Sequence, residues 1–178
     1  MEFRRGVEGS KKVVFLSECL INQNIRAYGV KNITGNGPVT EILDELMRNQ
    51  IGISVVKCPE VEYEGLKRRS CGKIKYDNIA YRTICSKITE DVVKRLKMYL
   101  DDGYKVGGLI CVNGSPSCGI DFCAIGGGEG WSKEPGVFIE ELQKKVKESG
   151  LSLNYLGAEM YKMPKTIGKI RQMIYSMG

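Results

Sequence analysis

The chain has 178 residues, with 27 Lys and Arg against 21 Asp and Glu for a net charge of +6, seven cysteines and no histidine. The lack of histidine excludes Ser-His-Asp and Cys-His catalysis, His-ligated zinc or haem, and an imidazole proton shuttle, so a general base must be Asp, Glu, Lys, Tyr or a thiolate. A metal would be held by thiolates, carboxylates, backbone or substrate, with thiolate the first suspect.

In chain order, the first regular segment is a β-branched apolar run at 13–16, which reads as a buried strand. Residues 38–50 open on Pro38 at the first helical position and carry Val39, Ile42, Leu43, Leu46 and Met47, the stripe of a helix lying on a core. A second strand is expected at 53–56. The segment 61–88 is less regular and suits an antiparallel pair, 73–76 and 79–84, joined by Asp77-Asn78. Thr89 then caps a helix over 89–102, with Val92, Val93, Leu96, Tyr99 and Leu100 on one side and Gly103 ending it. A strand at 108–112, a helix at 136–149, a strand at 151–156 and a helix at 164–177 follow. Strands alternating with helices predict an α/β fold, a mainly parallel sheet with helices on both faces. A hydrophobic share of 42% and a length below ~250 residues suit one domain spanning 1–178.

The strand assignment sorts the cysteines. Cys19, Cys58 and Cys118 each lie just past a strand, and in an open parallel sheet those carboxyl ends form the ligand crevice. Neighbouring strands are only ~4.8 Å apart, so three such loops can converge on one object. Three thiolates without histidine and without any CxxC pair suit an iron–sulfur cluster better than structural zinc. Cys85 and Cys111 lie in apolar segments and read as core, whereas Cys71 and Cys123 stay open, Cys123 being a conceivable additional ligand.

The blocks Cys19-Leu-Ile-Asn22-Gln-Asn-Ile-Arg26-Ala-Tyr-Gly29, Cys58-Pro-Glu60 with Glu64-Gly65-Leu66, and Ser115-Pro-Ser117-Cys118-Gly119 occur in this order. The sequence resembles the thiouracil desulfidases, a family of small iron–sulfur proteins, on these three blocks. The resemblance implies a Rossmann-like single domain and a [4Fe–4S] cluster held by Cys19, Cys58 and Cys118, with the fourth iron left free for the sulfur of a thiolated substrate. It further implies catalytic assistance from Glu60 and Ser115. Asn22, Tyr28 and Arg68-Arg69 stand where the family usually has Gly, Asp and a Pro-Arg pair.

The implied reaction removes sulfur, as hydrosulfide, from a thiolated nucleobase, nucleoside or similar thioamide. Glu60 is the natural base for the attacking water, and Ser115 a donor or proton shuttle. Ser17, Arg26 and Ser117 are the candidate substrate-binding residues. For Glu60 the plainer alternative is a solvated carboxylate, and for Ser115 and Ser117 it is a pair of turn-forming hydroxyls around Pro116. An alternative of another class is an iron–sulfur carrier that holds hydrosulfide for a biosynthetic or tRNA-thiolation partner. Trp131 suits either stacking on a heterocycle over the cluster or core packing, and glycine-rich 126–130 a flexible lid or a simple loop.

The basic stretches at 67–69 and at Lys162, Lys165, Lys169 and Arg171 read as solvated surface. They form no concentrated stripe, so a small thiolated substrate is favoured over RNA, although the charge admits RNA; a homodimer is compatible with the sequence. MEFRRGVEGSKK has no apolar signal-like stretch and no run approaches the ~18 apolar residues of a membrane span. The expectation is a cytoplasmic protein without a membrane partner, where seven thiols signal metal binding or catalysis.

Overall fold

The computed structural model of the chain describes residues 9–30, 35, 37–126 and 130–178. Strand β1 (Lys12–Ser17) runs into the short helix α1 (Glu18–Ile21) and a 3₁₀ turn (Gln23–Ile25). Helix α2 (Thr40–Arg48), β2 (Gly52–Val56), α3 (Pro59–Glu64), α4 (Lys73–Tyr76), α5 (Ile79–Asp101) and β3 (Lys105–Val112) follow. A small hairpin of β4 (Cys123–Ala124) and β5 (Trp131–Ser132) precedes α6 (Val137–Glu148), β6 (Tyr155–Ala158) and α7 (Met163–Ser176).

β2, β1, β3 and β6 pair in that order as one parallel sheet. The two-residue alternation of strands divides its side chains between two apolar layers. Phe15, Leu109 and Cys111 face α5 and α6, packing with Tyr81, Cys85, Val92, Leu96, Phe138 and Leu142. Val14, Leu16, Ile110 and Val112 face α2 and α7, packing with Ile42, Leu46, Ile170 and Met177. The α/β, Rossmann-like architecture with helices on both faces is therefore present. No helix among the described residues is long and apolar enough to cross a membrane.

Three local expectations fail for identifiable reasons. The segment 73–84 is helical, not an antiparallel pair: Lys73–Tyr76 is α4, and residues 79–84 begin the 23-residue α5. Asn78 starts α5 by accepting the Tyr81 N–H at 3.0 Å, so the Asp77-Asn78 pair is a cap between two helices. Thr89 lies inside α5, where its hydroxyl returns to the Ser86 carbonyl at 2.8 Å. The last strand is also displaced to 155–158. Gly150, at φ 65°, closes α6, and Leu151 N–H still bonds Val146 O at 3.1 Å, so pairing with β3 begins only after Asn154 accepts the Leu109 N–H.

Asn78→Ala is expected to cost about 1 kcal/mol of stability in a denaturant titration, the usual loss for an N-cap. A helix beginning at Thr89 would leave that substitution neutral.

Candidate active site

The carboxyl ends of β1, β2, β3 and β6 open onto one cavity of about 680 Å³. Cys19 stands in α1 directly after β1. Cys58 is the cap residue of α3, with Pro59 at its first turn, a setting that places Glu60 beside it. Cys118 comes from the loop after β3. All three line the cavity with Arg26, Glu60, Arg68, Cys71 and Ser115, and Glu159 to Lys162 close it from the end of β6.

The loop carrying Cys118 is held from below by α6. The first N–H groups of that helix reach its carbonyls, Val137 to Pro116 at 3.1 Å and Phe138 to Ser117 at 3.0 Å. The approach is close enough that a Cβ on Gly136 would stand 2.3 Å from Ser117 O, and one on Gly119 would stand 2.3 Å from Phe122 O. Inside the loop the Ser115 hydroxyl accepts the Cys118 N–H at 2.9 Å and donates to Glu60 Oε1 at 3.2 Å. On the other side, Glu18 Oε2 accepts the Cys58 N–H at 2.9 Å and ties the end of β1 to that of β2.

Glu60 Oε2 accepts from Arg68 Nε at 3.1 Å, the two side chains being 11% and 3% exposed. Arg68 also donates to the carbonyl of Ile25 at 2.7 Å, and its Nη2 lies 3.8 Å from Cys58 Sγ. Arg68 was expected in a solvated basic stretch. It is instead buried, because backbone pairing of Tyr28 with Arg68 and Ser70 draws that segment across the cavity floor. Arg26 also lines the cavity, and its guanidinium has no hydrogen bond or ion pair with any described residue. The C-terminal basic residues are at the surface: Lys162 and Lys165 both pair with Glu159, Lys169 with Asp121, and Arg171 with Glu45.

Burial pushes the Cys19 thiol up to about 12, with Arg26 pulling the other way. Burial and the adjacent Glu60 raise Cys58. A hydrogen bond with Cys111, together with burial, raises Cys118. Without a metal group all three are neutral thiols at neutral pH, so a bound group must displace their protons.

The structure brings Cys19, Cys58, Cys118, Glu60, Ser115 and Arg26 to the cavity, but not Ser17 and Ser117. The Ser17 hydroxyl points into the sheet, 2.8 Å from Cys111 Sγ and 3.3 Å from Ile110 O. That of Ser117 is fully buried and accepts from Tyr81 OH at 2.5 Å. Their expected substrate contacts are therefore corrected to contacts within the core. Cys123 is also absent from the cavity wall, its sulfur lying 3.8 Å from Pro135 O, whereas Cys71 is on it. Trp131 is 66% exposed at the cavity rim, edge-on to Phe122, and is not a core residue. Residues 127–129 of the glycine-rich loop lie outside the described residues.

Sequence reasoning missed Arg68 and Glu18 as parts of this centre. Cys111 is fully buried in the core, as expected.

The donor set fits an iron–sulfur cluster. Three thiols from three strand ends share one cavity with a buried arginine at their rim. Among the described residues no group of three His, Cys, Asp or Glu side chains is gathered so as to hold a single metal ion.

No protein-family model matches the chain. It is 31% identical over 138 residues to uncharacterized protein MJ0003 of Methanocaldococcus jannaschii, an alignment covering 78% of this chain and 80% of that one. Among solved structures, the [4Fe-4S]-dependent thiouracil desulfidase TudS superposes on 90% of this chain and 99% of its own with a TM-score of 0.47 and 17% identity, too loose a likeness to carry weight.

Replacing Arg68 by Met is expected to destabilise the protein by about 3–5 kcal/mol, because Glu60 would be left charged and unpaired in the interior. Adding Glu60→Gln should recover part of that loss in the same denaturation assay. In metal-free protein, alkylation of Cys19 by iodoacetamide should rise about tenfold per pH unit from roughly pH 8 to 10, tracking its thiolate fraction. A thiol at the ordinary value of 9.0 would level off within that range, which peptide mass spectrometry would show.

Proposed function

The chain belongs to the family of Methanocaldococcus jannaschii protein MJ0003, and for it we propose a [4Fe–4S]-dependent desulfidase that releases hydrosulfide from a thiolated nucleobase, nucleoside or similar thioamide. The observation that carries this reading is the meeting of three thiols with Glu60 and Ser115 on one cavity wall. When bound to Cys19, Cys58 and Cys118, the cluster would supply a Lewis acid with one iron open to soft sulfur.

The reaction is redox-neutral. Water adds its oxygen to the thiocarbonyl carbon, the carbon–sulfur bond breaks, and the two protons of water leave with sulfur and solvent. Glu60 takes the first proton. Its carboxylate is fixed for that task, since Arg68 holds Oε2 while Ser115 donates to Oε1, leaving a lone pair on Oε1 for a water. Ser115 couples the base to the Cys118 loop, because its oxygen also accepts the Cys118 N–H. Arg26, a cation at the cavity wall with no hydrogen-bond or ion-pair partner among the described residues, orients the substrate through a carbonyl or other oxygen acceptor. Trp131 at the rim offers a flat face to a heterocyclic ring.

Anaerobically purified protein is expected to hold about four irons and four sulfides per chain, as a [4Fe–4S] centre requires. It should release sulfide from 2-thiouracil or 4-thiouridine. Cys118→Ala should lose iron and sulfide release together, and full activity in that variant would refute the assignment. Glu60→Gln should keep its iron but turn over roughly 10²–10⁴ times more slowly, the usual loss with a general base.

A further inference from the structure

We propose that Arg68 is a positioning residue for the metal centre: its Nη2–H donates to the sulfur of Cys58, and the same guanidinium holds Glu60, so one buried cation is shared by a cluster ligand and the base. The inference rests on the iron–sulfur reading of Cys19, Cys58 and Cys118 and adds to it a residue outside that ligand set. Nη2 lies 3.8 Å from Cys58 Sγ, and both residues are buried. The direction of the contact does not depend on the state of the sulfur, since a guanidinium carries only donors and keeps its charge. A thiol is a weak acceptor, in keeping with a long contact. A thiolate on iron is an anion, and charge-assisted hydrogen bonds are shorter and stronger.

The placement of Nη2 follows from the rest of the chain. Tyr28 N–H bonds Arg68 O and Ser70 N–H bonds Tyr28 O, both at 2.9 Å, which fixes the backbone around the side chain. Nε then bonds Glu60 Oε2 at 3.1 Å, and Nη1 bonds the carbonyls of Ile25 at 2.7 Å and Gly65 at 3.4 Å. A planar fork with two arms so fixed has its third arm directed as well, and among the described residues that arm meets Cys58 Sγ. The sulfur is held in place to receive it: Glu18 accepts the Cys58 N–H at 2.9 Å, and Pro59 starts α3 immediately after. The polar neighbours of Cys118 are neutral by contrast. Its N–H goes to the Ser115 hydroxyl, and its sulfur lies 3.8 Å from Ser117 Oγ. Among the described residues, Cys58 is thus the ligand whose sulfur takes a hydrogen bond from a cation.

Hydrogen bonds to ligand sulfurs set the potential of an iron–sulfur cluster. A fixed cation on Cys58 favours the reduced, more negative state. In the oxidised state it draws electron density from the irons and strengthens them as Lewis acids for a soft sulfur. The test is a redox titration of the anaerobic, cluster-loaded protein followed by electron paramagnetic resonance. Arg68→Lys keeps the charge but replaces the fork with a single ammonium. It should shift the reduction equilibrium about tenfold, roughly 60 mV to lower potential at 59 mV per tenfold, with iron content retained. Arg68→Met combined with Glu60→Gln removes the cation without leaving Glu60 unpaired. Measured against Glu60→Gln alone, it should lie further in the same direction.

The wild-type protein supplies a second readout that stands if the Arg68 variants fail to fold. With arginine labelled by ¹⁵N in its guanidinium, the reduced cluster should show a nitrogen hyperfine coupling. That coupling should persist in Arg26→Gln, which removes the other arginine of the cavity wall. An Arg68→Lys midpoint equal to that of the wild type at equal iron content, or a coupling that is absent or vanishes with Arg26, overturns the inference while leaving the desulfidase reading intact. A wild-type protein that binds no iron overturns both.

Discussion

Arg68 carries its charge where there is almost no water, and its donors go to Glu60, to the Ile25 and Gly65 carbonyls and toward the Cys58 sulfur. Moving an ion out of water costs several kcal/mol unless its partners replace hydration. Ile25 belongs to the turn after α1, and Glu60 and Cys58 to the first turn of α3, so satisfying one guanidinium holds both to the segment after α3. Glu60 inherits its orientation from that arrangement. Ser115 passes the orientation on to the Cys118 loop, and α6 fixes the loop from the opposite side through its first N–H groups. The two acidic and basic groups are thus the joint between the β2 end and the β3 end of the site.

The parts of the molecule most readable from sequence were those set by local period. The apolar runs at 13–16, 53–56 and 108–112 became the core of β1, β2 and β3, and that placement alone put Cys19, Cys58 and Cys118 at adjacent strand ends. The beginning of α5 was not readable. Ile79, Tyr81, Thr83 and Ile84 have strand-like composition, and only the reach of the Asn78 side chain to the Tyr81 N–H reveals a helix start. Arg68 was hidden for a tertiary reason: its partners lie on segments that meet only after the sheet has formed. Ser17 and Ser117 were chosen for standing close to cysteines in sequence. Strand alternation turns the first toward Cys111, and the tight Ser115–Cys118 turn buries the second under Tyr81.

Most charge in the cavity lining is matched: Glu60 by Arg68 at the β2 edge, and Glu159 by Lys162 and Lys165 at the β6 edge. Arg26, in the same lining, has no counter-ion among the described residues. Cys71 adds a fourth thiol on the cavity wall.

The three thiols ride on the ends of β2, β1 and β3, which lie side by side in space but are separated in the chain by whole crossovers. Pairings of that range form late, because closing long loops costs entropy before any contact repays it. During synthesis the ribosome releases Cys19 and Cys58 long before Cys118, and until β3 docks no pocket exists around them. On the iron–sulfur reading, metal capture would then be a closing event of biosynthesis: the nascent chain offers scattered thiols, and only the finished sheet brings them to one cavity.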